Sequence, residues 1–290
     1  MRALRTADVA IVGLGLMGGS LAGALHGECR TVVGVARRQA SIDTAIARDL
    51  IDRGTTDLVE GVGSANVVVL ATPVRVIVQQ LEEIAPHLPN GCLVMDVGST
   101  KTEIVEAMHR LPRHVQPLGA HPMCGKEVAG IEAAEPTLYE GCTFVLTPLE
   151  RTSEEALALG KRLVNAVGGR PLVLTPERQD RLVATISHLP YLLSCALVGT
   201  AEQIATIDDR VWEVAASGFR DTSRLAASDV TMMLDILLTN RDAVLEMVDR
   251  SLLEMQELRH LIESANEERL RVKLERIQRR RSSWGDSHGG

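Results

Sequence analysis

Short apolar runs without polar alternation recur along the first 175 residues. Asp8 to Val12, Thr31 to Val35, Val67 to Ala71, Cys92 to Val97, Val115 to Ala120 and Thr143 to Leu146 each read as a strand covered on both faces. Between most of them apolar positions fall at helical spacing, as in Ser20 to His26, Val74 to Ala85 and Lys101 to His109. This alternation predicts a parallel, doubly wound α/β sheet. Pro171 to Leu174 predicts a last strand.

Two helix starts have capping-box spacing, Thr100-Lys101-Thr102-Glu103 and Thr152-Ser153-Glu154-Glu155. The second helix is expected to stop at Gly168-Gly169. Thr175 is expected to cap a new helix with Pro176 in its first turn. From Pro176 onward the pattern is helical only. Leu182, Val183, Ile186, Leu189, Leu193 and Leu197 share one face, and Pro190 inside that pattern predicts a kink, because it removes a backbone donor. A second periodic stretch runs from Asp229 to about Ile262, with Met233, Ile236, Val244 and Val248 among its apolar positions. Helices this long and apolar need a partner surface. The expected organisation is a dinucleotide-binding domain over residues 1–175, a helical substrate and dimerisation domain over 176–281, and a disordered tail from Ser282 to Gly290.

Composition narrows the functional classes. The chain has 290 residues, 24% of them charged, with a formal net charge of -7 and 2% aromatic residues. That balance argues against nucleic acid as a partner. The five cysteines form no C-x-x-C pair, which fits a reducing compartment. No segment resembles a cleavable signal, and no 18-residue apolar run is free of polar breaks, so a cytoplasmic protein without a membrane partner is expected. Histidines and cysteines fall at no metal-ligand spacing, and no metal is expected.

The chemistry concentrates in a few segments. Gly13-Leu14-Gly15-Leu16-Met17-Gly18 follows the first strand and opens a helix. Gly13 suits the tight turn, Gly15 the approach of backbone amides to a pyrophosphate, and Gly18 close helix–sheet packing. Thr72-Pro73 ends the third strand on the same sheet edge. After the second strand, where an acid would hold a ribose 2′-hydroxyl, the chain has Ala36 and then Arg37-Arg38. Arginine pairs with phosphate bidentately, so NADP is favoured over NAD. Asp96-Val97-Gly98-Ser99-Thr100-Lys101 follows the fourth strand, where Ser99 either bonds a substrate hydroxyl or His121 or caps the next helix. His121, in Gly119-Ala120-His121-Pro122-Met123-Cys124-Gly125, ends the fifth strand on that edge and titrates in the range of a general base. His188, beside the predicted kink, reads alone as a core histidine. Ser217 to Arg224 is a polar stretch whose arginines suit a carboxylate, or a turn closed by a local Arg220–Asp221 pair.

Taken in order, six segments resemble the prephenate/arogenate dehydrogenase family: Gly13 to Ala22, Asp96 to Lys101, Gly119 to Gly125, Leu138 to Pro148, Ser187-His188-Leu189-Pro190 and Gly218 to Arg224. The resemblance implies a Rossmann-like doubly wound domain followed by an all-helical dimerisation domain, and a homodimer. It implies oxidative decarboxylation of prephenate or arogenate in tyrosine biosynthesis, with NADP or NAD as hydride acceptor. By the same resemblance His121 is the base and Ser99 orients it and touches the cofactor. Arg224 binds a substrate carboxylate, and His188, Ser187 and Gly218 line the substrate pocket. Gly13, Gly15, Leu16, Met17, Gly18, Arg37, Arg38, Thr72 and Pro73 hold the dinucleotide. Two positions depart from the family pattern: Ala36 replaces the usual acid, and Met232-Met233 replaces a Met-Trp pair. A beta-hydroxyacid dehydrogenase shares the glycine loop, but its catalytic lysine segment has no counterpart. A non-catalytic NADP-binding sensor is the remaining alternative.

Overall fold

The computed structural model describes residues 4–126 and 128–288, with side chains as far as Trp284. Among the described residues eight strands form one sheet: β1 (Asp8–Val12), β2 (Thr31–Val35), β3 (Arg53–Thr55), β4 (Val67–Leu70), β5 (Leu93–Asp96), β6 (Gln116–Pro122), β7 (Thr143–Pro148) and β8 (Arg170–Val173). Their order is β3-β2-β1-β4-β5-β6-β7-β8, parallel throughout except for the antiparallel pair β6–β7. The apolar runs thus mark strands that helices cover on both faces. Successive residues of one strand feed opposite cores, with Val9, Ile11 and Val69 on one side and Ala10, Val12 and Val68 on the other. Each valine or isoleucine among them contributes about 1.5–3 kcal/mol on burial. Strand β3 carries the sequence Arg-Gly-Thr and has no apolar run to announce it.

Around the sheet lie α1 (Leu16–Leu25), α2 (Gln39–Ala47), α3 (Leu58–Val62), α4 (Val74–Ile84), α5 (Thr102–His109) and α6 (Glu154–Ala166). Helix α1 starts inside the glycine loop, four residues before the expected Ser20, with Gly15 as its N-cap. At α5 the expected capping box does not form. Lys101 is the N-cap, and its side chain caps none of the helix amides. The cap comes instead from Asp180, whose carboxylate accepts Lys101 N at 2.7 Å, Thr102 N at 2.8 Å and the Thr102 hydroxyl at 2.6 Å. Thr100 is drawn away by Thr239, its hydroxyl 2.9 Å from that of Thr239. At α6 the cap sits one residue later than expected: Ser153 accepts Ala156 N at 3.2 Å, while the Thr152 hydroxyl donates to the Pro117 carbonyl at 2.6 Å. Gly168, at φ 78°, ends the turn after α6.

Asp180 lies on α7 (Pro176–Val183), capped by Thr175 with Pro176 in the first turn. The kink expected at Pro190 takes the form of one π-helical turn, Ala184–His188, before α8 (Leu189–Ala205). Proline cannot donate to the carbonyl a turn earlier, and the wider turn absorbs the lost bond. The run Pro176–Ala205 is long and apolar enough to cross a membrane by length and composition. Among its buried polar residues, Asp180 is engaged by α5 and His188 by Asn240.

Helices α9 (Ser217–Ser223), α10 (Val230–Thr239), α11 (Arg241–Glu263) and α12 (Glu267–His288) complete the chain. The periodic stretch from Asp229 is therefore two helices, broken at Asn240, whose side chain bonds elsewhere. The expected disordered tail is corrected: α12 continues through residues 282–288, where no proline stops it and Arg281 stacks 5.1 Å from the Trp284 ring. Residues 289–290 lie outside the described residues. The chain forms two compact units, Met1–Arg241 and Asp242–Gly290, so α7 to α10 belong with the sheet although the sequence pattern changes at 175. Within the second unit Lys273 on α12 bonds Glu254 at 2.7 Å and Glu257 at 2.6 Å on α11.

Candidate active site

The sheet reverses its winding between β1 and β4, and the carboxyl edge at that point is where open α/β sheets bind ligands. The glycine loop fits this role by three separate constraints. Gly13 has φ 101°, and a Cβ there would lie 2.7 Å from the Ala71 carbonyl oxygen. A Cβ on Gly18 would lie 1.8 Å from the Gly13 carbonyl oxygen. A Cβ on Gly15 would meet nothing within 4 Å. Gly15 is the N-cap of α1, and no side chain caps that helix. The loop is thus closed against the protein at two glycines and open at the third, beside uncapped helix amides that suit a pyrophosphate. Leu16 is buried and Met17 half-buried, with the Tyr139 hydroxyl 2.7 Å from the Met17 carbonyl. Pro73 is the N-cap of α4, and the Thr72 hydroxyl donates to Gln80 Oε1 at 2.7 Å. Arg37 and Arg38, beyond β2, are both exposed.

The next carboxyl edge, at β5 and β6, carries a connected polar cluster. Asp96 and Lys101 are fully buried and paired. Asp96 also accepts Gly98 N at 2.8 Å and Ala120 N at 2.9 Å. Burial pushes the carboxyl up and the ammonium down, and their mutual attraction opposes both shifts. One carboxylate therefore fixes the turn after β5 and the backbone of β6 one residue before His121.

His121 is half-buried. Its Nδ1 lies 3.1 Å from Nε2 of Gln179, which is also 3.1 Å from the Ser99 carbonyl. Burial, then the charge of Lys101, push His121 down to about 3, with Gln179 opposing. The ring is therefore neutral at neutral pH, the state a proton acceptor needs. His188 is buried on the π-helical turn and lies close enough to act on His121 electrostatically. Its Nδ1 is 3.2 Å from Nδ2 of Asn240, which also donates to the Asp180 carbonyl at 2.8 Å. Burial pushes His188 down to about 4.

His121, Ser99 and His188 thus belong to one cluster. Ser99 enters it differently from the expectation: its carbonyl, through Gln179, reaches His121, and its hydroxyl forms no bond to the ring. The side chain of Ser187 is exposed next to His188. Gly218 and Arg224 sit on elements further along the chain. Both are exposed, Gly218 on α9 and Arg224 in the short turn after it. Helix α9 is tied to α8 by the Ser194 hydroxyl, 2.8 Å from the Thr222 carbonyl. Arg220 and Asp221 do form the local pair, at 3.4 Å. Sequence reading missed Gln179 and Asn240, which carry no motif. For Asp180 the one signal is its spacing of two turns from His188.

A switch-point dinucleotide loop beside a neutral histidine defines a nicotinamide-dependent oxidoreductase of the doubly wound class. The chain belongs to the prephenate dehydrogenase family. The family's nucleotide-binding domain matches residues 21–174 and its dimerization domain matches residues 175–276. The chain is 33% identical over 266 residues to the prephenate dehydrogenase of Bacillus subtilis, covering 90% of this chain and 72% of the relative. The crystal structure of prephenate dehydrogenase from A. aeolicus in complex with hydroxyphenyl propionate and NAD+ superposes with a TM-score of 0.91 at 31% identity, covering 97% of this chain and 99% of that one. Arogenate dehydrogenase from Synechocystis superposes at 0.85 with 33% identity, covering 96% and 99%. Matching both domains of one dehydrogenase family sets aside the hydroxyacid dehydrogenase alternative.

Proposed function

We propose that the protein oxidises and decarboxylates prephenate or arogenate, using NADP in preference to NAD, with His121 as the base. The observation that carries this reading is the neutral His121 ring, held at the end of β6 on the sheet edge that also carries the glycine loop. The nicotinamide supplies a hydride acceptor when bound at Gly13, Gly15, Leu16, Met17, Gly18, Thr72, Pro73 and Ser99. His121 takes the proton of the ring hydroxyl as the hydride departs from the same carbon, which becomes a carbonyl. The bond to the ring carboxylate then breaks, carbon dioxide leaves, and the electron pair passes through the ring to the carbonyl oxygen. That oxygen regains a proton from His121, and the ring is aromatic. Arg224 holds a substrate carboxylate, and His188, Ser187 and Gly218 line the pocket around it.

The preference for NADP rests on Ala36, which leaves no acid to repel a 2′-phosphate, and on the two exposed guanidinium groups of Arg37 and Arg38. A homodimer in the cytoplasm fits the match to a dimerization domain and the apolar side chains left exposed there, Leu193, Met232 and Leu253 among them. Nucleic acid and membrane are not partners in this reading. The reaction is tested by following reduced nicotinamide and carbon dioxide together. One of each per substrate consumed is expected. Reduced nicotinamide without carbon dioxide would replace this reading with simple alcohol oxidation.

A further inference from the structure

The Gln179 carboxamide touches His121 and so bears on how that ring becomes a base. Gln179 Nε2 faces three acceptors: the Ser99 carbonyl at 3.1 Å, His121 Nδ1 at 3.1 Å and Asp180 Oδ1 at 3.5 Å. A carboxamide nitrogen has two hydrogens, and a carbonyl and a carboxylate can only accept. Turning the amide over would set its oxygen against both of those oxygens. The orientation with nitrogen toward His121 is therefore the one the surroundings dictate. In it, Nδ1 receives a hydrogen, so the neutral ring carries its own proton on Nε2. A ring in that form donates from Nε2 and cannot accept a proton there.

We propose that Gln179 is a positioning residue that sets the tautomer of His121, and that the amide must turn for catalysis. At rest the Gln179 amide holds His121 in the Nε2–H form. In the productive complex its Oε1 faces the ring and accepts Nδ1–H, which frees the Nε2 lone pair for the substrate hydroxyl. This rests on His121 being the base. The proton that moves between the ring nitrogens passes through solvent, and no bond other than N–H is made or broken. Gln179 is buried, so the turn requires its contacts with the Ser99 carbonyl and the Asp180 carboxylate to be released. Because Ser99 lies in the middle of the segment between β5 and α5 on the ligand-binding edge, a ligand that displaces its carbonyl would release the amide.

The experiment is nitrogen NMR on the full-length protein with 15N-labelled histidine, His121 being assigned by the signals lost in His121→Asn. In the free wild-type protein at neutral pH, Nδ1 is expected to be the bare nitrogen and Nε2 the protonated one. In Gln179→Glu, whose carboxylate can only accept, the two nitrogens are expected to exchange roles, and the falling acid limb of kcat is expected at higher pH than in the wild type. Nδ1 protonated in the free wild-type protein would overturn the proposal, as would an unchanged tautomer in Gln179→Glu. The tautomer is read without turnover. A failure here therefore stays distinct from a failure of His121 as the base, which the loss of kcat in His121→Asn reads independently.

Discussion

His121→Asn is expected to lower kcat by at least ~10²-fold while dinucleotide affinity stays near that of the wild type. Asparagine keeps a polar side chain at the end of β6 but cannot accept a proton at neutral pH. The backbone around it is held independently, since Asp96 grips the Ala120 amide. The glycine loop, which is built on β1 and α1, does not depend on the ring. Steady-state kinetics and dinucleotide titration check the two halves separately. Near-normal kcat would remove His121 from the base role. The pH dependence has a defined sign. Burial holds His121 down at about 3, so the ring is already neutral across the neutral range. Protonation of His121 then costs no activity until the pH approaches that value. A histidine at its ordinary ~6.5 would lose activity in mildly acid solution instead.

Lys101→Met is expected to destabilise the protein by about 3–5 kcal/mol, because it leaves the Asp96 carboxylate buried without its cation. Neither side chain has any solvent exposure. The pair therefore cannot be relieved by water, as the exposed Arg210–Asp208 pair can. The double variant Asp96→Asn, Lys101→Met is expected to recover part of the loss. It removes the unpaired charge and keeps an oxygen to receive Gly98 and Ala120. Denaturant unfolding of the three proteins measures this, and a single variant within about 1 kcal/mol of the wild type would mean that the pair is not the anchor of this turn.

The sheet was legible because its central strands are buried on both faces. Such strands must be continuous apolar runs, and β1, β2, β4 and β5 are. The glycine loop was legible for a similar reason: Gly13 and Gly18 have no space for a side chain, and that constraint is written into residue identity. What stayed hidden depends on contacts between segments distant in sequence. Asp180 caps a helix that begins nearly eighty positions earlier, a bond that overrides the local Thr100–Glu103 signal. Asn240 breaks a periodic helix so that its amide can reach Asp180 and His188. Gln179 belongs to no motif, yet it is buried against His121. A glutamine carries no signature of the bond it will make, so the residue touching the proposed base was invisible until the chain was folded.

This chain is expected to turn over a cyclohexadienol at the His121 edge with a dinucleotide that carries a 2′-phosphate. Steady-state assays with prephenate and arogenate, each against NAD and NADP, test it most directly, with Arg37→Ala/Arg38→Ala run in parallel. Turnover with at least one substrate is expected, best with NADP, together with a rise in the Michaelis constant for NADP relative to NAD in the double variant. No reduced nicotinamide in any of the four combinations would contradict the account and leave a dinucleotide-binding sensor in its place.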